Sequence, residues 1–78
     1  MDFKEDQILD LRGRQCPMTF VYTKVALENL ATGKVLKVIL DFRSAFSNVP
    51  KSVKKQDLGD VIQEIENSGI KTIWIRRK

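Results

Sequence analysis

The chain has 78 residues, with fourteen lysines and arginines against ten aspartates and glutamates, a formal charge of +4 and a sequence pI near 9.5. That length allows one domain with one small core. One cysteine and no histidine exclude an internal disulfide and a CxxC redox pair, speak against a Cys/His zinc site, and remove the commonest general base.

A lone thiol suits a reducing compartment. The opening Met1-Asp2-Phe3-Lys4-Glu5-Asp6 shows no apolar signal segment, and no apolar run approaches the roughly 20 residues of a membrane helix. The expectation is a soluble, cytoplasmic chain with no metal and no cofactor. Its basic balance suits nucleic acid or an acidic protein. Lys51, Lys54 and Lys55, and the closing Arg76-Arg77-Lys78, read as a solvated helix face and a charged tail.

Residues 1–6 are polar and expected to fray, leaving 7–78 as the domain. Gln7 to Leu11 reads as a short strand with Ile8 or Leu9 facing inward, broken by Gly13. A helix is expected from Pro17 to about Ala31, with Gly33 just past its end. It carries two apolar stripes: Phe20, Thr23, Leu27 and Leu30 on one, Met18, Val21, Tyr22 and Val25 on the other. One must pack on a sheet. Both are expected to be buried within the domain; the alternative leaves the second exposed beside Cys16, where it would extend a partner surface.

Lys34 to Asp41 is rich in β-branched and apolar residues and reads as a central strand. Strand, helix and strand this close predict a right-handed βαβ unit with parallel pairing. Phe42 to Asn48 reads as a loop. A second helix then opens at Val49-Pro50, capped by Asn48 or Val49, with Val53 and Leu58 as its thin apolar side and Gly59 as its stop. Val61 to Glu66 is a third strand anchored by Ile62 and Ile65, and Asn67-Ser68-Gly69 signals a hairpin. In Lys71 to Arg77, Ile73 and Ile75 alternate with Thr72, Trp74 and Arg76. The order βαβαββ gives an α/β (α+β) two-layer sandwich, four strands against two helices.

The chemistry-bearing stretch is Asp10 to Thr19. Pro17 suits the first position of a helix, which makes Cys16 the N-cap. A thiol there sits at the positive end of the helix dipole and ionises more readily. The bland alternative is a small buried apolar side chain, a common fate for free cysteine. Without histidine, activation falls to backbone N–H groups and cations, and Arg12 and Arg14 are the nearest in sequence. They would lower the thiol pKa, hold an acidic partner, or simply be solvated.

Leu9-Asp10, Gly13 and Cys16-Pro17 resemble the LDxxGxxCPxP signature of the TusA/SirA-like sulfur carrier family. Lys24, Ala26, Leu27 and Leu30 resemble its first helix, Gly33 and Val35–Asp41 its second strand, Val49-Pro50 its second helix start, and Leu58-Gly59 the glycine before its third strand. The resemblance favours the Phe20, Leu27 and Leu30 stripe as core. It implies a mixed sheet of order 1-2-4-3 with strand 4 antiparallel, a fold also similar to the C-terminal domain of translation initiation factor three. It implies a persulfide carried on Cys16, with Asp10, Gly13 and Pro17 shaping the motif. The donor would be a cysteine desulfurase or another sulfurtransferase, and the acceptor a downstream protein serving tRNA thiolation, cofactor synthesis or sulfur metabolism.

Three positions depart from the family pattern: Thr19 replaces the second motif proline, Asp41-Phe42-Arg43 the acidic-proline stretch, and Asp60 a frequent histidine. Thr19 restores an N–H that proline lacks and adds a hydroxyl. It either supports an anion at Cys16 or is a tolerated surface residue. The competing function is a small basic module binding RNA without sulfur chemistry. No aromatic stacking pair stands on a strand to favour it, and Trp74 reads as packing.

Overall fold

The computed structural model describes residues 5–14 and 18–78 and orders them as β1 (Gln7–Asp10), α1 (Met18–Glu28), β2 (Val35–Leu40), α2 (Ala45–Lys55), β3 (Gly59–Asn67) and β4 (Ile70–Arg77). The four strands form one sheet of order β1-β2-β4-β3, with β1 parallel to β2 and β4 antiparallel to both its neighbours. This is the α+β sandwich expected from the order of the elements, with the strand order that the family resemblance implies.

Period-2 patterning places the core. Leu36, Val38 and Leu40 of β2 and Ile73 and Ile75 of β4 turn to the helices and lose all solvent contact. Leu9 joins that side of β1, while Ile8 is exposed on the other. The opposite face of the sheet is uncovered, so Val35 and Ile39 remain half-buried. Trp74 is half-buried there, with the Lys37 ammonium 5.6 Å from its ring centroid and its Nε1–H donating to Glu5 Oε1 at 3.3 Å. Asp6 is tied to Val35 by its own N–H (2.8 Å) and by its carboxylate (2.9 Å). The anchored chain thus includes Glu5 and Asp6, where fraying was expected through residue 6; residues 1–4 lie outside the described residues.

α1 buries Thr19, Thr23, Ala26 and Leu27. Its end comes earlier than Ala31: Leu30 turns into the core, and the Leu27 carbonyl accepts both the Leu30 N–H, at 3.1 Å, and the Arg77 guanidinium. Gly33 is therefore not the residue after the helix. It sits in the Ala31–Lys34 turn, closed by the Lys34 N–H on the Ala31 carbonyl at 3.1 Å.

α2 corrects the sequence reading most. It starts at Ala45, with Ser44 as a cap that makes no side-chain bond, and Pro50 lies inside it. Ala45, Phe46, Val49 and Val53 form one buried stripe, and burying each large side chain contributes about 1.5–3 kcal/mol. That sum outweighs the roughly 3 kcal/mol cost of an interior proline. The carbonyl that Pro50 cannot bond is that of Phe46, and Lys71 Nζ donates to it at 3.2 Å. Lys71 is held from its other side by Glu64 at 2.6 Å.

The helix ends at Lys55, and Asp57 takes the left-handed conformation, with φ of 57°. Gly59, expected as the stop, is instead the first residue of β3. It presses on β4 so closely that a Cβ there would lie 2.5 Å from the Arg76 carbonyl oxygen. β3 carries a bulge between Val61 and Gln63, which shifts the alternation by one residue. Val61 packs on the core, but Ile65, expected as an anchor, is 46% exposed on the uncovered face. Ser68 and Gly69, both at positive φ, close the β3–β4 hairpin as expected.

Candidate functional site

Both helices begin at the same edge of the sheet, where parallel strands β1 and β2 end. The chain leaves β1 through a tight turn. The Leu11 N–H donates to the Ile39 carbonyl at 2.8 Å, and the Arg14 N–H closes the turn on the Leu11 carbonyl at 3.0 Å. Gly13 is its third residue, with φ of +85°, a conformation that L side chains rarely adopt.

Two carboxylates hold the turn. Asp10 Oδ1 accepts the Arg12 N–H at 3.1 Å, and its two oxygens grip the Arg12 guanidinium at 2.6–3.2 Å. The side-chain hydrogen bonds from Arg12, with its backbone N–H next, hold the Asp10 carboxyl down at about 2. The same pairing raises the Arg12 pKa. Asp41, the residue after β2, accepts the Gly13 N–H on Oδ1 at 2.9 Å. Every backbone N–H from Leu11 to Arg14 therefore has a partner.

Arg14 turns its guanidinium over the Tyr22 ring, 5.3 Å from the centroid. That ring belongs to the outer stripe of α1, where Met18, Val21, Tyr22 and Val25 are 47%, 43%, 37% and 49% exposed. The expectation that both stripes are buried is thus overturned. One sheet face and one neighbouring helix can cover only one side of α1, so the second stripe faces solvent. Lys24 stands to the side of it, half-buried.

Thr19, the second residue of α1, is fully buried, and its Oγ1 has no hydrogen-bond partner among the described residues. The surface reading of Thr19 is therefore wrong. Its neighbour one turn on, Thr23, satisfies its hydroxyl by donating to the Thr19 carbonyl at 2.8 Å. Cys16 and Pro17 lie outside the described residues. Covalent connectivity alone keeps Cys16 two residues from Arg14 and two from Met18.

A family model for sulfurtransferase TusA matches residues 7–77. The chain belongs to the TusA sulfurtransferase family. A relative in Archaeoglobus fulgidus is 39% identical over 75 residues, covering 94% of this chain and 83% of its own. A sulfur carrier protein TusA of Pseudomonas putida is 37% identical over 78 residues, covering 99% of this chain and 95% of its own. The crystal structure of a SirA-like protein from Desulfitobacterium hafniense superposes with a TM-score of 0.76 at 22% identity, covering 90% of this chain and 95% of that one, and shares the fold.

Within this TusA-family chain, the structure gathers Asp10, Arg12, Gly13 and Arg14 in one turn and sets Met18, Val21 and Tyr22 on the helix that follows. Arg12 is engaged by Asp10 rather than free for a partner. Asp41 was read from sequence only as the first acid of a departed motif. The available signal was its position: a carboxylate one residue past a strand whose parallel neighbour runs into a glycine turn. No helix among the described residues is long and apolar enough to cross a membrane.

Proposed function

We propose that this protein is a sulfur carrier, relaying sulfane sulfur as a persulfide on Cys16 between two partner proteins. The Cys16 thiolate attacks the outer sulfur of a donor persulfide. The donor S–S bond breaks, the Cys16 S–S bond forms, and the donor departs as a thiolate; an acceptor thiolate then repeats the exchange on the outer sulfur of Cys16. The electron count is unchanged at each transfer, so no external oxidant or reductant enters. The donor is a cysteine desulfurase or another sulfurtransferase, and the acceptor a protein of sulfur metabolism, cofactor synthesis or tRNA thiolation. Family membership supports the reading, as do the names of its relatives as sulfur carriers.

The observation that carries it is the α1 surface. Met18, Val21, Tyr22 and Val25 form an exposed apolar stripe on a helix that begins two residues after the only cysteine. A carrier needs a docking face next to its thiol more than it needs a pocket. Arg14, seated over Tyr22, adds a cation to that face, with Lys24 beside it. At the motif, Asp10, Gly13 and Pro17 shape the approach to α1. Thr19 offers a buried hydroxyl three residues on from Cys16.

The test is intact-protein mass spectrometry after incubation with a small-molecule persulfide donor. One added sulfur, mapped to Cys16 and lost in Cys16→Ser, is the expected result. An unmodified wild-type protein overturns the carrier reading.

A further inference from the structure

Among the described residues, one side chain from outside its own segment holds the turn that precedes residue 15, that of Asp41. Its carboxylate reaches across from the end of β2 to accept the Gly13 N–H at 2.9 Å. The other three amides of the turn bond to the Ile39 carbonyl, to Asp10 and to the Leu11 carbonyl. Asp10 belongs to β1 itself and holds the turn locally; Asp41 fixes the turn to the next strand of the sheet. On the far side of Cys16 the chain is fixed again, because Thr19 is fully buried and Met18 opens α1. The described chain is thus fixed on both sides of residues 15–17, by the Asp41-held turn before them and by the buried Thr19 side chain after them.

We propose that Asp41 is a positioning residue for the Cys16 thiol, acting through the Gly13 N–H to hold the approach of the chain to the start of α1. The inference rests on the carrier reading of Cys16 but makes a separate claim about its reactivity. Asp41 acts as a hydrogen-bond acceptor and not as a charge. A carboxylate near a thiol, acting by charge alone, disfavours the thiolate and raises its pKa. A carboxylate that holds the thiol among helix N-terminal amides does the opposite. Removing Asp41 therefore moves the thiol in opposite directions under the two accounts.

The experiment measures the alkylation rate of Cys16 by iodoacetamide against pH, together with amide hydrogen exchange at Gly13. In the wild type the midpoint lies below about 8.5, the free-thiol value. Asp41→Ala raises it by roughly half a unit, a threefold loss of rate near pH 7, and exposes the Gly13 amide to faster exchange. Asp41→Asn keeps an acceptor oxygen in place and leaves both readings as in the wild type. Should Asp41→Ala fail to fold, Asp41→Glu keeps the charge but displaces the oxygen by one methylene, and it also raises the midpoint and speeds Gly13 exchange.

A midpoint lowered in both Asp41→Ala and Asp41→Asn overturns the proposal in favour of simple charge repulsion. A midpoint unchanged in folded Asp41→Ala, or a wild-type midpoint at or above about 8.5, overturns it as well. Alkylation needs no sulfur donor, so failure of the carrier reading, seen as absence of an added sulfur, is distinguished from failure of this one.

Discussion

α1 and α2 are each eleven residues long and pack on the same face of the sheet, but they turn different chemistries outward. α2 is strongly one-sided: Ala45, Phe46, Val49 and Val53 are buried, and Lys51, Lys54 and Lys55 face solvent. α1 is apolar almost all round, with Thr19, Thr23, Ala26 and Leu27 inside and Met18, Val21, Tyr22 and Val25 outside. A helix whose only task is to cover a sheet needs the α2 pattern. The outer face of α1 keeps apolar side chains that folding does not require, and it lies beside the motif. The contrast separates side chains selected for stability from side chains available to a partner.

The largest effects belong to the inward faces. Leu27→Ala should cost about 2–5 kcal/mol of unfolding free energy, while Val21→Glu on the outer stripe should change it by about 0.5 kcal/mol or less. Denaturant titration of the two variants checks this. Val21→Glu should also slow sulfur transfer to a protein acceptor by roughly tenfold, the size of a modest interface contact. Equal loss of stability in both variants would mean that the outer stripe is core after all.

A smaller effect concerns α2 alone. Lys71→Met removes the donor to the Phe46 carbonyl freed by Pro50, and should cost about 1–3 kcal/mol, read from the same titrations. Unchanged stability would show that the interior proline needs no outside partner.

The smallest effect lies in the turn before α1. In Arg12→Gln the Asp10 carboxyl, held at about 2 by the Arg12 side chain, should return towards its ordinary value near 3.9. A carboxyl lowered on folding stabilises the native state above its unfolded pKa, and loses that contribution as pH falls through the folded value. Any stability the variant lacks should therefore be missing above about pH 4, with the difference from the wild type closing between about pH 4 and pH 2. Carboxyl chemical shifts of Asp10 against pH provide the measurement; a midpoint that does not move would remove Arg12 as the cause.

The six elements were legible because the apolar run of β2, the alternation in β4, the hairpin at Ser68-Gly69 and the glycine turn after β1 each point one way, while the sheet order came from the family resemblance. The start of α2 was not. Pro50 reads as a first helical residue, and only the buried stripe of Ala45, Phe46, Val49 and Val53 reveals the earlier turn; the lysine that makes it tolerable is twenty-one positions further on. Ile65 was misplaced because a bulge leaves no mark on local composition. The motif residues were legible by resemblance, but the burial of Thr19 and the reach of Asp41 depend on strands and helices meeting in space, which spacing along the chain does not encode.

The bulge in β3 has a consequence for the protein as a material. β3 is an edge strand of nine residues, long enough to template pairing with another chain. The extra residue between Val61 and Gln63 breaks the ladder partway along it. A strand laid against that edge would have its alternation in step on one side of the break and out of step on the other. With Asp60, Glu64 and Glu66 exposed along the same strand, the edge is a poor seed for fibre growth, and the sheet ends at four strands.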